Sequence, residues 1–332
     1  MPLREVAAYA RRAEALGCDG LMVPEAVSDG ILAATLALEH TERLRVATGV
    51  VVAFARSPML LAQDAWSLAE LSGGRFELGL GPQVRGNVEG RFGMPWSAPA
   101  ARMRDYVGAV RAVFECWTEG TELHYESESY SLTRMQPFFR PDPLPEGPPP
   151  VLLGAIGPRM TRVAGEVADT LLTHPTNSTA AFVRDVVRPA LAEGSRVAGR
   201  AADAVRVIAG PMVATGATHA EVAAEREAAR QVLAFTFSTP AYRATLDHHG
   251  WGELSDRLRE GARSGDWASM NGLISGEMLD VMVPSAPYAG IAALLTERYA
   301  GLADVVTLRL PKDTAHEADF AAAVASIRGH EK

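Results

Sequence analysis

Cysteine is nearly absent, with only Cys18 and Cys116 in 332 residues. A disulfide framework needs more cysteines than these two, and a zinc site needs ligands more closely spaced. They read as buried apolar thiols in a reducing compartment. Long apolar runs are missing too, and none reaches the ~18 residues of a membrane span. The opening Met1-Pro2-Leu3-Arg4-Glu5 has no apolar signal core, so a cytoplasmic protein is expected. There is no basic excess: Lys and Arg number 32 against 40 Asp and Glu, a formal charge of −8. That excludes the electrostatic footprint of a nucleic-acid or anionic-membrane binder and mainly serves solubility. Heptads, low-complexity tracts and short repeats are lacking. So are a Walker lysine motif and the full glycine fingerprint of a dinucleotide fold.

What is present is a rhythm. The composition, 48% hydrophobic and 22% charged, is that of an ordinary globular chain rather than a disordered or fibrous one. Leu3, Val6, Ala7, Ala10, Ala13 and Leu16 recur at helical spacing up to Gly17. The apolar run Gly20-Leu21-Met22-Val23-Pro24 follows, as in a buried parallel strand. A helix over 30–41, a valine-rich strand over 44–52, a helix opening at Ser57-Pro58, the turn Gly73-Gly74 and a strand over 75–80 come next. Strands alternating with helices predict a parallel sheet or barrel with the helices outside.

A long helix over 97–118 leads into a polar stretch, 119–136, and then into seven prolines between 137 and 150. Proline at that density allows neither helix nor central strand. Since Val151-Leu152-Leu153-Gly154 resumes the rhythm at once, 119–150 reads as an insertion between barrel elements. The rhythm continues with helix 158–167, strand 169–172, helix 178–194, strand 204–214, helix 219–235 with a Thr218/Glu221 capping box, helix 285–300 and strand 305–310. A last helix starts near Thr314 and Glu317, read as another capping box. Residues 238–284 read as a second insertion, irregular to helical. The expectation is one α/β domain over 1–332. It has seven strand–helix repeats rather than eight, and the first barrel strand is missing ahead of the opening helix.

In such a barrel, chemistry gathers at the carboxyl ends of the strands. Small residues at Gly154, Ala155 and Gly157 allow close backbone approach. Pro158 at the first helical position leaves amides and the helix dipole facing the loop, and Arg159 adds charge. A tight turn with no ligand is the competing reading. Gly79 and Gly81 also permit close approach, though two glycines alone are a weak motif. Arg85, Arg91 and Phe92 either close over an acidic or aromatic ligand or sit in a solvated loop. His174, at a strand end before Pro175, suits a proton donor or a hydrogen bond to a cofactor ring, or is a satisfied structural histidine. Glu25 is either a base or a partner of neighbouring loop amides. His248-His249 reads as a surface pair, and Arg75 as a tie from loop to sheet on the far face.

Several stretches together resemble one family. They are Ala13-Glu14-x-Leu16-Gly17-x-Asp19-Gly20-Leu21, Leu71-Ser72-Gly73-Gly74-Arg75-Phe76-Glu77-Leu78-Gly79-Leu80-Gly81, Arg102-Met103-Arg104-Asp105-Tyr106, and Gly154 to Met160 followed by Ala164-Gly165-Glu166-Val167-Ala168-Asp169. Combined over nearly the whole chain, they resemble the luciferase-like monooxygenases, flavin- or F420-dependent oxidoreductases. Phe54-Ala55-Arg56-Ser57-Pro58, Gln83-Val84-Arg85 and Arg91-Phe92-Gly93-Met94-Pro95-Trp96 look most like the branch that uses coenzyme F420.

The resemblance implies a TIM (β/α)8 barrel with insertions, usually a homodimer, binding F420 or FMN. It implies a bulged strand, often with a non-proline cis peptide, near Gly49-Val50 against the cofactor ring. It places the cofactor phosphate at Gly154, Ala155, Gly157, Pro158, Arg159 and Met160, with Gly81 and Gln83 shaping the cofactor wall. Some branches carry a histidine directly after the acidic residue that ends their second strand. Here that position is Ala26, so His174 and Glu25 stand as the catalytic candidates.

The favoured reading is an F420-dependent oxidoreductase passing a hydride to or from a small organic substrate. The alternatives are an FMN-dependent two-component monooxygenase fed by a partner reductase, and a cofactor-binding protein without catalysis.

Overall fold

The apolar spacing of the first residues produces the helix Leu3–Ala15, which buries Val6, Ala10 and Ala13 on one face. Gly17 follows at φ +82°, where a side chain would be strained. The computed structural model describes residues 1–329. The strands are β1 (Gly20–Val23), β2 (Arg45–Thr48), β3 (Val51–Val52), β4 (Phe76–Gly81), β5 (Tyr125–Glu126), β6 (Ser131–Leu132), β7 (Val151–Ala155), β8 (Thr170–Thr173), β9 (Arg206–Ala209) and β10 (Val305–Val306).

Two compact units emerge, and both are discontinuous in sequence. The first holds Met1–Gly154, Arg162–Leu171 and Leu191–Val205. The second holds Ala155–Thr161, Leu172–Ala190 and the chain from Arg206 onward. In the first unit β1 pairs in parallel with β2, β2 with β4, and β4 with β7, with Val46 opposite Phe76 and Leu78 opposite Val151. All six residues of β4 are buried, as expected of a parallel strand covered on both faces. In the second unit β9 pairs in parallel with β10.

The expected elements are largely present, with shifts that have physical causes. The strand expected over 44–52 is interrupted: β2 ends at Thr48, the Gly49–Val50 peptide is cis, and β3 then pairs with the end of β4. The strand expected over 204–214 stops at Ala209, because Gly210 and Pro211 follow and proline offers no ladder donor. Ala214 instead bridges to Ser285, donating from its N–H to the Pro284 carbonyl. The helix expected over 178–194 starts at Thr179, whose hydroxyl accepts from Phe182 N–H, and widens to a π-helix over Val183–Val187. Pro189 lies just beyond and lacks the N–H that a regular turn would use there.

Strand 305–310 shrinks to Val305–Val306. Thr218 does cap its helix, but Glu221 reaches back to Ala217 N–H rather than to Thr218. At 314–317 the cap is Asp313, which accepts from Ala315 N–H, and not Thr314. The polar stretch 119–136 contains a small antiparallel hairpin, β5 with β6.

The stretch 238–284, expected as an irregular to helical insertion, is helical, with helices Arg243–His248, Glu253–Ser264, Trp267–Leu273 and Gly276–Met282. These pack with the helix His219–Phe237 around a core of their own that includes Phe237, Leu246, Leu258, Ile274 and Leu279. Cys116 is buried and its thiol donates to the Thr121 carbonyl, whereas Cys18 is only half-buried; neither forms a disulfide. Among the described residues no helix is long and apolar enough to cross a membrane.

Candidate functional site

In the first unit the loop that joins β2 to β3 is built around Val50. A Cβ on Gly81 would lie 2.5 Å from a Val50 methyl, and one on Gly154 would lie 3.1 Å from the other. The space above both glycines is therefore filled by Val50. Their lack of a side chain admits this neighbour directly, where the sequence reading had a ligand approaching them. Gly79 serves the sheet as well: a Cβ there would meet the Thr48 carbonyl oxygen at 1.6 Å. The Thr48 hydroxyl bridges Gly79, donating to its carbonyl and accepting from its N–H, both at 2.8 Å. Gly49, Val50, Gly81 and Gly154 thus come together at the ends of β2, β4 and β7.

Glu25 supports the same loop. Its Oε2 accepts from Val52 N–H at 2.7 Å and from Arg56 Nη1 at 2.9 Å, and its Oε1 accepts from Arg56 Nη2 at 2.5 Å. With both oxygens engaged by a bidentate guanidinium and an amide, Glu25 is arranged as a brace. Arg56 also donates to Asp29 Oδ2 at 2.7 Å, and Asp29 Oδ1 caps the helix Gly30–Glu39 through the N–H groups of Ile31 and Leu32. Burial works against the Asp29 charge, but the Leu32 amide, Arg56 and the Ile31 amide outweigh it and hold the carboxyl below its ordinary range. Asp64, on the helix Pro58–Ser72, is raised by burial despite Arg56 nearby.

Gln83 follows β4 at φ +63°, uncommon for a residue other than glycine. Its side-chain oxygen accepts from Val84 N–H and Asn87 Nδ2, which holds that backbone in place. Arg91 is tied to the Ala26 carbonyl at 2.8 Å and lies over the Phe92 ring. Arg75 binds the carbonyls of Leu38, Leu44 and Ser72, the loop-to-sheet tie its sequence position suggested.

In the second unit, Ala155–Thr161 forms the turn into the helix Pro158–Val167. Asn177, fully buried, donates from Nδ2 to the carbonyls of Ala155 and Ile156, both at 3.0 Å. That fixes the carbonyls on one side and leaves the opening amides of the helix free, since the first turn has no intrahelical acceptor. A Cβ on Gly157 would meet nothing within 4 Å. Pro158 and Arg159 are exposed and Met160 is half-buried, and Arg159 has no ion-pair partner among the described residues. The same Asn177 accepts from His174 N–H through Oδ1 at 2.7 Å, so one amide side chain locks both the loop and the histidine.

His174 lies mostly buried. Its Nδ1 is 2.9 Å from the Thr176 hydroxyl and accepts from Thr176 N–H at 3.3 Å, and its ring stacks on Tyr242 at 4.9 Å and 8°. Burial pushes its pKa down to about 4. His248 and His249 are more than a surface pair. His249 Nε2 lies 2.9 Å from the Thr179 hydroxyl, its ring stacks on Trp251, and His248 approaches Asp185 at 3.6 Å. Asn177 and Tyr242 escaped the sequence reading. Asn177 has a local role in accepting from His174 N–H, but its hold on the Ala155 and Ile156 carbonyls, like the stacking of Tyr242 on His174, joins residues distant in sequence.

The description of the luciferase-like monooxygenases matches residues 1–304. The chain belongs to this family. An uncharacterized protein of Mycobacterium tuberculosis is 45% identical over 290 residues, spanning 87% of this chain and 85% of that one. The 5,10-methylenetetrahydromethanopterin reductase of Archaeoglobus fulgidus is 28% identical over 283 residues, 82% of this chain and 79% of the reductase. Among solved structures, the coenzyme F420 dependent tetrahydromethanopterin reductase from Methanopyrus kandleri aligns with a TM-score of 0.81 at 21% identity, over 100% of this chain and 96% of that one. The fold is therefore of the luciferase-like TIM-barrel class. In this luciferase-like chain Glu25 follows β1 by two residues and Ala26 comes directly after it.

Proposed function

We propose that this luciferase-like oxidoreductase transfers a hydride between coenzyme F420 and a small organic substrate. The observation that carries the reading is the turn Ala155–Thr161: an open helix start with a free arginine beside it and nothing over Gly157. Such a turn fits a phosphate group. The choice of F420 over FMN rests on the reductases among the relatives and on the F420-dependent structure whose fold this chain shares. When bound, F420 supplies a two-electron hydride carrier.

In this reading the amides of Gly157, Arg159 and Met160 and the Arg159 guanidinium hold the phosphate, with Ala155 and Pro158 shaping the turn. Gly49 and Val50 face the ring, backed by Gly81 and Gly154, while Gln83 shapes the wall. Glu25 holds the Val50 loop in place, and His174 contacts the reacting ligands. A cytoplasmic homodimer completes the proposal.

Fluorescence titration with F420 and with FMN, run separately, tests it. F420 is expected to bind and FMN to bind far more weakly; binding of neither overturns the reading, and selective FMN binding moves it to the two-component monooxygenase class. Turnover of reduced F420 separates an enzyme from a carrier. Gly157→Asp adds a negative charge into open space, so folding is expected to be unchanged while F420 affinity falls by more than about 100-fold. Unchanged affinity removes this turn from the site.

A further inference from the structure

We propose that His174 is a neutral hydrogen-bond donor, carrying its proton on Nε2 and presenting it to a carbonyl oxygen of the bound ligand, with Tyr242 of the 238–284 insertion fixing the ring plane. This deepens the proposed oxidoreductase reading and rests on it for the identity of the ligand, but the state of the ring follows from the geometry alone.

The ring has two nitrogens, and the local hydrogen bonds distinguish them. Thr176 N–H points at Nδ1 at 3.3 Å, and an amide proton needs a lone pair to meet it. Nδ1 is therefore the unprotonated nitrogen, and the Thr176 hydroxyl, 2.9 Å away, adds a second donor to the same side. The proton of the neutral ring must then be on Nε2. Nε2 has no partner among the described residues, and it is not among the buried polar atoms sealed from solvent without a hydrogen bond. It is a donor that is fixed, accessible and unused.

The backbone is held as firmly as the ring edge. His174 N–H is bound by Asn177 Oδ1 and the His174 carbonyl accepts from the Ser178 hydroxyl at 2.8 Å. Tyr242 then covers one ring face, parallel to within 8°. Tyr242 itself packs against the core of the helical insertion, so the insertion sets the direction in which Nε2–H points. No charged side chain contributes to the state of the ring, for burial alone lowers its pKa to about 4. The ring stays neutral at physiological pH, and its role is to orient and polarise an acceptor oxygen rather than to deliver a proton as imidazolium. The acceptor is a carbonyl oxygen, from the cofactor ring or from the substrate.

Long-range proton–nitrogen NMR on histidine-labelled full-length protein tests the ring state without any ligand. The expected result is an Nε2–H tautomer that does not titrate between pH 5.5 and 8. An Nδ1–H tautomer, or a titration near 6.5, overturns the proposal whether or not F420 binds. The same Nε2–H resonance is then followed while F420 is added, and afterwards while acetone is added to the F420-loaded protein. A shift in the first step identifies the cofactor oxygen, a shift only in the second identifies a substrate carbonyl, and no shift in either overturns the donor role.

His174→Phe keeps a stacking ring without the donor, and His174→Gln keeps a donor near the Nε2 position. The phenylalanine variant is expected to weaken binding of the identified ligand about 10-fold, with substantial recovery in the glutamine variant. Equal losses in both mark a packing role and overturn the proposal. If wild-type protein binds neither F420 nor FMN while the Nε2–H tautomer is found, the cofactor reading fails and the ring assignment stands.

Discussion

Four glycines in or just beyond the strands look interchangeable along the chain and meet three different surroundings in space. Gly79 is pressed against the Thr48 carbonyl, Gly81 and Gly154 make room for Val50, and Gly157 faces nothing. Gly79→Ala would place a methyl 1.6 Å from a carbonyl oxygen inside a parallel sheet. No rotamer relieves that clash, so the strands must part, and a loss above about 4 kcal/mol is expected. Urea unfolding is expected to show either failure to fold or a greatly lowered midpoint, whereas Gly157→Ala measured beside it stays within about 0.5 kcal/mol of wild type. A mild effect of Gly79→Ala would contradict the close approach of β2 and β4. At this scale the sequence showed where small residues collect. It did not show which of them face solvent, because that depends on what another segment brings up against them.

Helices were legible where caps and apolar spacing agree. Ser57-Pro58 opens the helix Pro58–Ser72, with Ser57 Oγ accepting from Leu60 N–H, and Gly73 closes it at φ +61°. Helix–helix crossings were not legible. Within the first unit, Gly165 and Gly194 let two helices touch backbone to backbone: a Cβ on Gly194 would lie 2.0 Å from the Arg162 carbonyl oxygen, and one on Gly165 2.3 Å from that of Leu191. Ser195 and Arg200 donate to the Gly165 carbonyl at the same crossing. Gly194→Ala is favoured by helix propensity by about 1 kcal/mol, yet the contact must open to admit the methyl. The contact is expected to dominate, giving a net loss of about 2 kcal/mol in urea unfolding. A stabilised variant would mean that the crossing is looser than these distances.

The whole molecule is interleaved. The chain passes between its two compact units at several points, so neither unit is one continuous stretch. Residues 1–154 lack Glu166, which pairs with Arg104, and Asp169, which binds Arg111 at 2.9 Å and Val151 N–H at 2.8 Å. These partners belong to the first unit yet arrive from later in the chain. A fragment of residues 1–154 is therefore expected to give a collapsed amide NMR spectrum without cooperative unfolding. A dispersed spectrum would show that the early segment carries its own core.

The amino-acid sequence established the class of this protein: alternating strands and helices, an excess of acidic over basic residues, and family motifs spread over nearly the whole chain. Those features are local, set by the spacing of apolar residues, by caps and by short motifs. Tertiary structure decided the rest. It made Glu25 the brace of Arg56 and Val52, filled the space over Gly81 and Gly154 with Val50, left Gly157 open, and brought Asn177 and Tyr242 onto the loop and ring they hold. Each of these joins residues far apart in sequence, so only the folded chain could reveal them.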